Sequence, residues 1–291
     1  MGSSHKSQEG QQEEGEQGYV DAGGNQAAMY SCRCRTDTLS RAGQPNRQSA
    51  EKWHQPGEKR TRKGDRTVRY TLAIFDLDGT ILNTLEDLTD SMNAALEKSG
   101  YPKRTIEEVR RFVGNGIRKL IERAVPQGTK KEDVDQVHRD FTEYYKAHCA
   151  DKTRPYDGIL DLLATLKEKG CRTAVVSNKA DYGVQKLCHQ YFEGLFDLAV
   201  GEREGILRKP APDSVNQVLR RLQVRREDAV YIGDSEVDIQ TAENAGMDHI
   251  IVDWGFRKAE FLREQGAKVI VSRPGEIAEI IQSGENQLTN L

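Results

Sequence analysis

Asp76 and Asp78 end a short apolar run, in the segment FDLDGT, and a single residue separates them. Carboxylates at the edge of a hydrophobic core repel each other and lose hydration, so such a pair needs a compensating cation. Asp and Gly are also common turn residues, so the pair could instead form a solvated turn at the end of a strand. The first interpretation predicts chemistry at this position and the second predicts none.

Other polar residues occupy comparable positions further along the chain. They are Ser177 and Asn178 after CRTAVV, Lys209 in RKPAPD before a helix start, and Asp234 and Asp238 after DAVYIG. Asp76, Asp78 and Asp234 would repel one another unless a hard divalent cation lay among them, and a short carboxylate site with waters left over suits Mg²⁺. Lys209 and Ser177 add a positive charge and a hydrogen-bond donor, which together predict a socket for a transferring phosphoryl group.

A socket of this kind explains why two carboxylates stand so close together. One Asp carboxylate can attack phosphorus and form an aspartyl-phosphate intermediate. A neighbouring carboxyl can protonate the leaving oxygen and later activate a water molecule. The paired aspartates would then divide the nucleophilic and the acid–base work around a metal ion.

Six short apolar runs predict strands that are buried on both faces. They are YTLAIF (70–75), CRTAVV (171–176), FDLAV (196–200), DAVYIG (228–233), DHIIV (248–252) and AKVIV (267–271). Helical patterns separate most of these runs, and this alternation predicts a doubly wound, Rossmann-like α/β fold with a parallel sheet. Ligands bind such sheets at the carboxyl ends of the strands, so the polar residues should converge on one edge.

Residues 84–155 break the alternation because they carry only helical patterns. The first of these begins with a predicted capping box between Thr84 and Asp87. We therefore expect an all-helical cap domain at 84–155, inserted between the core segments 69–83 and 156–291. Because the insert leaves the sheet beside the two aspartates, it is well placed to act as a lid.

The composition of the chain argues against several classes of partner and cellular location. Residues 1–68 hold almost no apolar run, which predicts a disordered extension, and the net charge of −3 argues against nucleic acid or a membrane as the main partner. Nothing resembles a membrane span or a signal peptide. Only Cys32 and Cys34 of the five cysteines lie close together, without the second ligand pair that zinc needs, so we expect reduced thiols and a cytoplasmic protein. A monomer and a homodimer both remain open.

The segments FDLDGT, VVSN, RKPAPD and GDSEVD resemble, in order and spacing, the four motifs of the haloacid dehalogenase-like hydrolases, and the match extends over residues 70–283. The helical insert is similar to the C1 cap of that superfamily. The resemblance implies a Mg²⁺-dependent phosphatase that forms an aspartyl-phosphate. By this resemblance Asp76 is the nucleophile and Asp78 is the acid–base residue. The phosphoryl group is bound by Lys209, Thr80, Ser177 and Asn178. The metal ion is bound by Asp76, Asp234 and the backbone carbonyl of Asp78, and Asp238 orients Lys209 or a metal-bound water.

Within the superfamily, NTLEDLTDSMNAAL and VGNGIRKLIERA look most like the phosphoglycolate phosphatases. This resemblance implies that 2-phosphoglycolate is the substrate and that Asn115, Gly116 and Arg118 close over it, with Arg118 pairing with its carboxylate. Two alternatives stay open within the family, an inorganic pyrophosphatase and a broad sugar-phosphate phosphatase. A third alternative is a non-catalytic module that binds a phosphorylated ligand.

Overall fold

The computed structural model describes residues 69–283, in which six parallel strands form a central sheet in the order β5-β4-β1-β6-β7-β8. The strands are β1 (Leu72–Phe75), β4 (Arg172–Ala180), β5 (Leu198–Glu202), β6 (Ala229–Gly233), β7 (Asp248–Val252) and β8 (Ile270–Val271). The chain winds outward from β1 in one direction and then returns to continue on the other side with β6. The point where the order reverses therefore lies between β1 and β6, the usual place for a ligand in such a sheet.

Strand β1 is apolar throughout because helices cover the sheet on both sides. Ala73 and Phe75 belong to one hydrophobic cluster, whereas Leu72 and Ile74 belong to a second cluster on the opposite face. This alternation is what a period of two residues produces in a doubly covered parallel strand. The predicted α/β class and parallel sheet are confirmed.

Ten helices are assigned within residues 69–283. They are α1 (Leu85–Lys98), α2 (Ile106–Phe112), α3 (Gly116–Ala124), α4 (Lys131–His148), α5 (Ile159–Glu168), α6 (Asp181–Phe192), α7 (Asp213–Leu222), α8 (Glu236–Ala245), α9 (Ala259–Glu264) and α10 (Pro274–Gln282). Helices α1–α4 follow one another without a strand between them. The helix-only pattern of the sequence thus corresponds to a helical block in the structure.

Two very short strands flank this helical block. β2 (Leu82–Asn83) and β3 (Arg154–Pro155) pair in antiparallel fashion, with Leu82 opposite Pro155 and Asn83 opposite Arg154. The pairing brings together the points where the chain leaves and re-enters the core. The sequence did not predict it, because two-residue strands are too short to produce a periodic pattern.

The predicted capping box at Thr84 is wrong. Thr84 lies at φ −106° and ψ 4°, not in extended backbone, and its side chain caps no backbone amide of α1. The Asp87 carboxylate instead accepts hydrogen bonds from the backbone amides of Lys152 and Thr153, at 2.8–3.1 Å. Asp87 therefore ties the start of α1 to the segment that returns to the core.

Other sequence predictions have simpler outcomes. Strand β7 has the predicted bounds, and the other five overlap the predicted runs with ends shifted by one to four residues. Cys149, Cys171 and Cys188 are free and buried. No helix among residues 69–283 is long and apolar enough to cross a membrane. The predictions made for residues 1–68, including Cys32 and Cys34, lie outside the described residues.

Candidate active site

The register of the sheet brings two aspartates together at its carboxyl edge. Phe75, the last residue of β1, lies opposite Ile232 of β6, and the backbone amide of Asp76 donates to the carbonyl of Ile232 at 2.9 Å. Asp76 follows β1 directly and Asp234 follows β6 directly. Both are buried, so their carboxylates share a region of low polarizability in which charge is expensive.

Close backbone packing fixes the side chain of Asp234. Its Oδ1 accepts from Oγ1 of Thr80 at 3.1 Å, and its Oδ2 accepts from the amide of Phe256 at 2.8 Å. A Cβ atom at Gly79 or Gly255 would lie 2.5 Å or 2.4 Å from the Asp234 side chain, and Gly79 also has a φ of +89°. Both positions therefore require glycine, so that the chain can wrap closely around this carboxylate.

Three carboxylates form a group compact enough to hold a cation. Oxygen atoms of Asp76, Asp234 and Asp238 lie within 4.8 Å of one another. Oδ1 of Asp76 is buried and has no hydrogen bond to a described residue, although Nζ of Lys209 lies 2.9 Å away. A buried carboxylate oxygen without a hydrogen bond is costly, and an all-oxygen ligand set suits a hard cation such as Mg²⁺.

Asp238 has a different environment from the other two carboxylates. Its Oδ1 accepts from Lys209 and Tyr231 at 2.8 and 3.2 Å. Its Oδ2 accepts from the hydroxyl of Ser235 at 2.6 Å and from the amides of Asp234 and Ser235 at 3.2 and 3.1 Å. Five protein donors, including the Lys209 ammonium, contact the Asp238 carboxylate, whereas two neutral donors contact that of Asp234. Asp238 therefore fits a supporting position behind Lys209 better than a metal ligand.

The electrostatics of Asp76 and Asp234 favour a positive charge close to both carboxylates. Burial raises the pKa of Asp76 to about 7; the Lys209 ammonium opposes this rise, and Asp238 and Asp78 add to it. Burial, followed by Asp238 and Asp76, also raises the pKa of Asp234 well above its ordinary range. A divalent cation between these carboxylates would favour their ionised forms, so the residues fit a metal site.

Lys209 is held by contacts at both its side chain and its backbone. Its ammonium pairs with Asp238 at 2.8 Å and Asp76 at 2.9 Å, and contacts the Tyr231 hydroxyl at 3.1 Å. Its amide donates to Oδ1 of Asn178 at 2.8 Å, and Nδ2 of Asn178 donates to its carbonyl at 3.1 Å. Burial works against the charge of Lys209, but Asp238 and Asp76 outweigh it and raise the pKa, so the ammonium stays protonated.

A cavity of about 60 Å³ lies over these groups. Its polar floor includes Asp76, Asp78, Ser177, Lys209 and Asp234. Its apolar side is formed by residues of the helical block and the loop before α3: Leu88, Val113, Ile117 and Leu120. The helical block thus places apolar side chains beside the polar floor, and apolar surroundings strengthen electrostatic interactions between the charged groups there.

The structure separates the remaining predicted site residues into two groups. Ser177 and Asn178 line the cavity, whereas Thr80 supports Asp234 from behind. Gly116 lines the cavity, but the Asn115 side chain accepts a hydrogen bond from Arg123 at 2.8 Å. Arg118 lies outside the cavity.

Arg118 pairs with two carboxylates of the helical block. Its Nε lies 3.0 Å from Oε1 of Glu122, and its Nη1 donates to Asp135. These partners raise the pKa of Arg118, with Asp135 making the largest contribution. The guanidinium of Arg118 therefore pairs with Glu122 and Asp135 of the helical block and does not line the cavity that holds Asp76.

Sequence reasoning missed several cavity residues, and Tyr145, Lys179 and Arg257 are the ones that make contacts between distant segments. Lys179 directly follows Ser177 and Asn178, so its position at a strand end was an available signal. Tyr145 falls on an ordinary amphipathic helix, and Arg257 follows the loop DWGF, where nothing in the pattern distinguishes it from a surface residue. Their significance depends on contacts between distant parts of the chain.

Comparisons with known proteins place the chain among relatives. The model of a family described as haloacid dehalogenase-like hydrolase matches residues 73–252. A phosphoglycolate phosphatase from Rhodobacter capsulatus is 33% identical over 189 residues, which cover 64% of this chain and 85% of that protein. An N-acetylmuramic acid 6-phosphate phosphatase from Pseudomonas aeruginosa is 29% identical over 226 residues, covering 74% of this chain and 96% of that protein.

A solved structure gives the same picture. It is a crystal structure of a candidate phosphoglycolate phosphatase from Lactobacillus delbrueckii subsp. bulgaricus, 42% identical to this chain. The superposition has a TM-score of 0.71 and covers 73% of this chain and 98% of that chain. The similarity therefore extends over nearly the whole length of that protein and includes the helical block.

Proposed function

This chain belongs to the haloacid dehalogenase-like hydrolases, and on that premise we propose that it is a Mg²⁺-dependent phosphatase of small phosphorylated metabolites, with 2-phosphoglycolate as the favoured substrate. The observation that carries the proposal is the meeting of Asp76, Lys209 and Asp234 at one edge of the sheet, under an apolar cover. A carboxylate nucleophile, a fixed ammonium beside it and a second buried carboxylate are groups that can support phosphoryl transfer to an aspartate.

The proposed roles of Asp76 and Asp78 are those that the family resemblance implies, and both residues line the cavity. The carboxylate of Asp76 attacks phosphorus, the bond from phosphorus to the leaving oxygen breaks, and that oxygen takes a proton from Asp78. Asp78 then takes a proton from water, whose oxygen attacks the aspartyl-phosphate and releases inorganic phosphate. Asp76 is regenerated as a carboxylate, and Asp78 regains the proton that it gave up.

The metal ion belongs among the same residues. The carboxylates of Asp76 and Asp234 and the backbone carbonyl of Asp78 would hold Mg²⁺, which supplies charge neutralisation for the phosphoryl oxygens when bound. Lys209 adds a second positive charge on those oxygens, and Ser177 adds a donor. Asp238 holds Lys209 in place through its 2.8 Å hydrogen bond.

Two features favour a small substrate. The cavity is small, at about 60 Å³, and apolar side chains of the helical block line one side of it. The R. capsulatus relative and the L. delbrueckii structure both carry the name phosphoglycolate phosphatase. The P. aeruginosa relative acts on a sugar phosphate by name, which makes a sugar-phosphate phosphatase the second candidate.

A phosphate-release screen tests both candidates and the non-catalytic alternative. The panel contains 2-phosphoglycolate, inorganic pyrophosphate, N-acetylmuramic acid 6-phosphate and simple sugar phosphates, each with Mg²⁺ or with EDTA. We expect Mg²⁺-dependent release with the highest kcat/KM on 2-phosphoglycolate. A higher kcat/KM on a sugar phosphate would reassign the substrate, and no release from any of these compounds would contradict the phosphatase proposal.

A further inference from the structure

Lys179 joins the core to the helical block at the proposed acid–base residue. It lies near the end of β4 with 5% of its surface exposed. Its ammonium donates to Oδ1 and Oδ2 of Asp78 at 2.9 and 3.1 Å. The same ammonium donates to the hydroxyl of Tyr145, which lies on α4.

This arrangement restricts the Asp78 carboxyl. Among residues 69–283, Lys179 is the one hydrogen-bond partner of that side chain, and it contacts both oxygens. A carboxyl held at two oxygens by one buried cation cannot rotate freely about its terminal bond. Without Lys179, no hydrogen bond from another residue of the described range 69–283 would fix the direction of this carboxyl.

We infer that Lys179 is a positioning residue that aims Asp78 at the leaving group, and that Tyr145 from the helical block in turn positions Lys179. The inference rests on the proposed function, because it takes Asp78 as the group that protonates the leaving oxygen. It adds a physical link between the helical block and the chemistry. Asp78 is correctly aimed only while α4 lies over the sheet edge.

The surroundings of Lys179 support a fixed, charged side chain. Its Nζ lies 4.8 Å from the centre of the Tyr145 ring, a distance suited to a cation–π contact. Burial acts against its charge, but Asp78 and Tyr145 outweigh burial and raise the pKa of the ammonium. The alkyl part of the side chain packs beside Gly183, where a Cβ would lie 3.5 Å away.

A second lysine provides a matched control. Lys186 lies on α6 and also reaches α4, where its ammonium donates to the carbonyl of Lys146 at 3.3 Å. It is exposed and does not line the cavity. Lys186→Met therefore removes a contact between the core and α4 and leaves the contacts of Asp78 intact. Lys179→Met removes a contact to α4 and also the contacts to Asp78.

The test compares two esters with different leaving groups. 2-Phosphoglycolate releases an alkoxide that needs a proton, whereas 4-nitrophenyl phosphate releases a stable phenolate that needs one much less. We measure kcat/KM, which reports the steps up to departure of the leaving group. General acid catalysis contributes about 10²- to 10⁴-fold, so we expect Lys179→Met to lose about 100-fold on 2-phosphoglycolate and about tenfold or less on the aryl ester.

Tyr145→Phe keeps the ring and removes the hydroxyl that contacts Lys179. We expect this variant to lose less kcat/KM than Lys179→Met, again with the larger loss on 2-phosphoglycolate. The variant keeps the inference testable should Lys179→Met fail to fold. Lys186→Met should leave both esters unchanged. Equal losses on both esters in Lys179→Met and Tyr145→Phe would overturn the inference. A loss in Lys186→Met that is larger on 2-phosphoglycolate than on the aryl ester would also overturn it.

Failure of the inference is distinguishable from failure of the proposed function. A wild-type protein that hydrolyses neither ester, or an Asp76→Asn variant that hydrolyses both, contradicts the proposed function. An active wild type and an inactive Asp76→Asn variant, combined with equal losses in Lys179→Met, contradict only the positioning role. Circular dichroism and thermal unfolding of each variant confirm that the comparison is made on folded protein.

Discussion

Nζ of Lys209 lies 2.8 Å from Oδ1 of Asp238, and both side chains are almost completely buried. The hydroxyls of Ser235 and Tyr231 donate to the Asp238 carboxylate and fix its orientation. The fixed carboxylate in turn fixes the Lys209 ammonium. An ammonium carried on four methylene groups would otherwise sample many directions. The pair therefore determines where the positive charge lies relative to Asp76.

Asp238→Asn tests this pair directly. The neutral amide keeps the size of the side chain but removes a buried charge that Lys209 needs, and breaking one side of a buried ion pair costs about 3 kcal/mol. We expect lower stability in urea unfolding and a fall in kcat that exceeds any change in KM. Asp161→Asn, at an exposed position of α5, should change neither quantity. A fully active and stable Asp238→Asn variant would contradict the role given to Asp238.

Arg257 connects the loop after β7 to the helical block. Its Nη1 donates to the carbonyl of Arg110 at 3.0 Å, its Nη2 donates to the carbonyl of Val113 at 2.8 Å, and its Nε donates to Glu236 at 3.0 Å. Asn178 reaches the next carbonyl, that of Gly114, at 3.4 Å. Side chains of the core thus hold the backbone of the loop that covers the cavity.

Arg257→Ala should loosen this cover. We expect KM for 2-phosphoglycolate to rise about tenfold, because one or two hydrogen bonds to a charged group, each worth about 1.5 kcal/mol or more, are lost from the closed arrangement. Arg257→Lys should recover little, because a single ammonium cannot reproduce the planar fork of donors. The control is Arg273→Ala, whose guanidinium pairs with Glu276 at an exposed position. An unchanged KM in Arg257→Ala would show that these contacts do not hold the cover over the substrate.

The pKa of Asp76 predicts how metal binding depends on pH. Unfolded Asp ionises near pH 4, whereas burial raises the pKa of Asp76 to about 7 in the folded, metal-free protein. Between these values the folded state holds a proton that the unfolded state has lost. This contribution to stability is therefore complete below about pH 4 and is lost as the pH rises to about 7.

Thermal unfolding with and without Mg²⁺ measures this effect. Mg²⁺ binds the ionised carboxylates, so protons compete with it below about pH 7. We expect the rise in Tm caused by Mg²⁺ to grow as the pH increases from about 5.5 to about 8. Asp234→Asn should abolish the rise at every pH. A Tm increase of constant size across this range would contradict a binding site made of these carboxylates.

Much of the site was predictable from sequence because a strand ending fixes a side chain to one edge of the sheet. Asp76, Ser177 and Asp234 each follow an apolar run, and parallel pairing brings such positions together whatever the loops do. The four motifs also occur in the order and spacing of the haloacid dehalogenase-like hydrolases, and chance would not produce this arrangement. The confirmed family and fold rest on these features.

The rest depended on contacts that leave no pattern. Arg257 binds backbone carbonyls, which are present at every residue, so its partners could not be read from side-chain types. Arg118 and Lys179 illustrate the same difficulty: both are cations near motif residues, but Arg118 pairs within the helical block and Lys179 pairs with Asp78. Asp87 follows Thr84 at capping-box spacing yet binds residues 65 and 66 positions away.

If Asp76 attacks phosphorus with the help of Mg²⁺, Asp76→Asn removes the nucleophile and should stop turnover. The amide has almost the same shape as the carboxylate but is not a nucleophile, so the fold should survive. The control is Asp253→Asn, an aspartate that follows strand β7, two strands away from β1, and accepts a hydrogen bond from the Ser272 hydroxyl at 2.6 Å. The measurement is phosphate release from 2-phosphoglycolate with saturating Mg²⁺, together with the thermal unfolding of each variant. We expect a loss of at least about 10³-fold in kcat for Asp76→Asn with an intact fold, and near wild-type turnover for Asp253→Asn. Substantial turnover by folded Asp76→Asn would show that Asp76 is not the nucleophile.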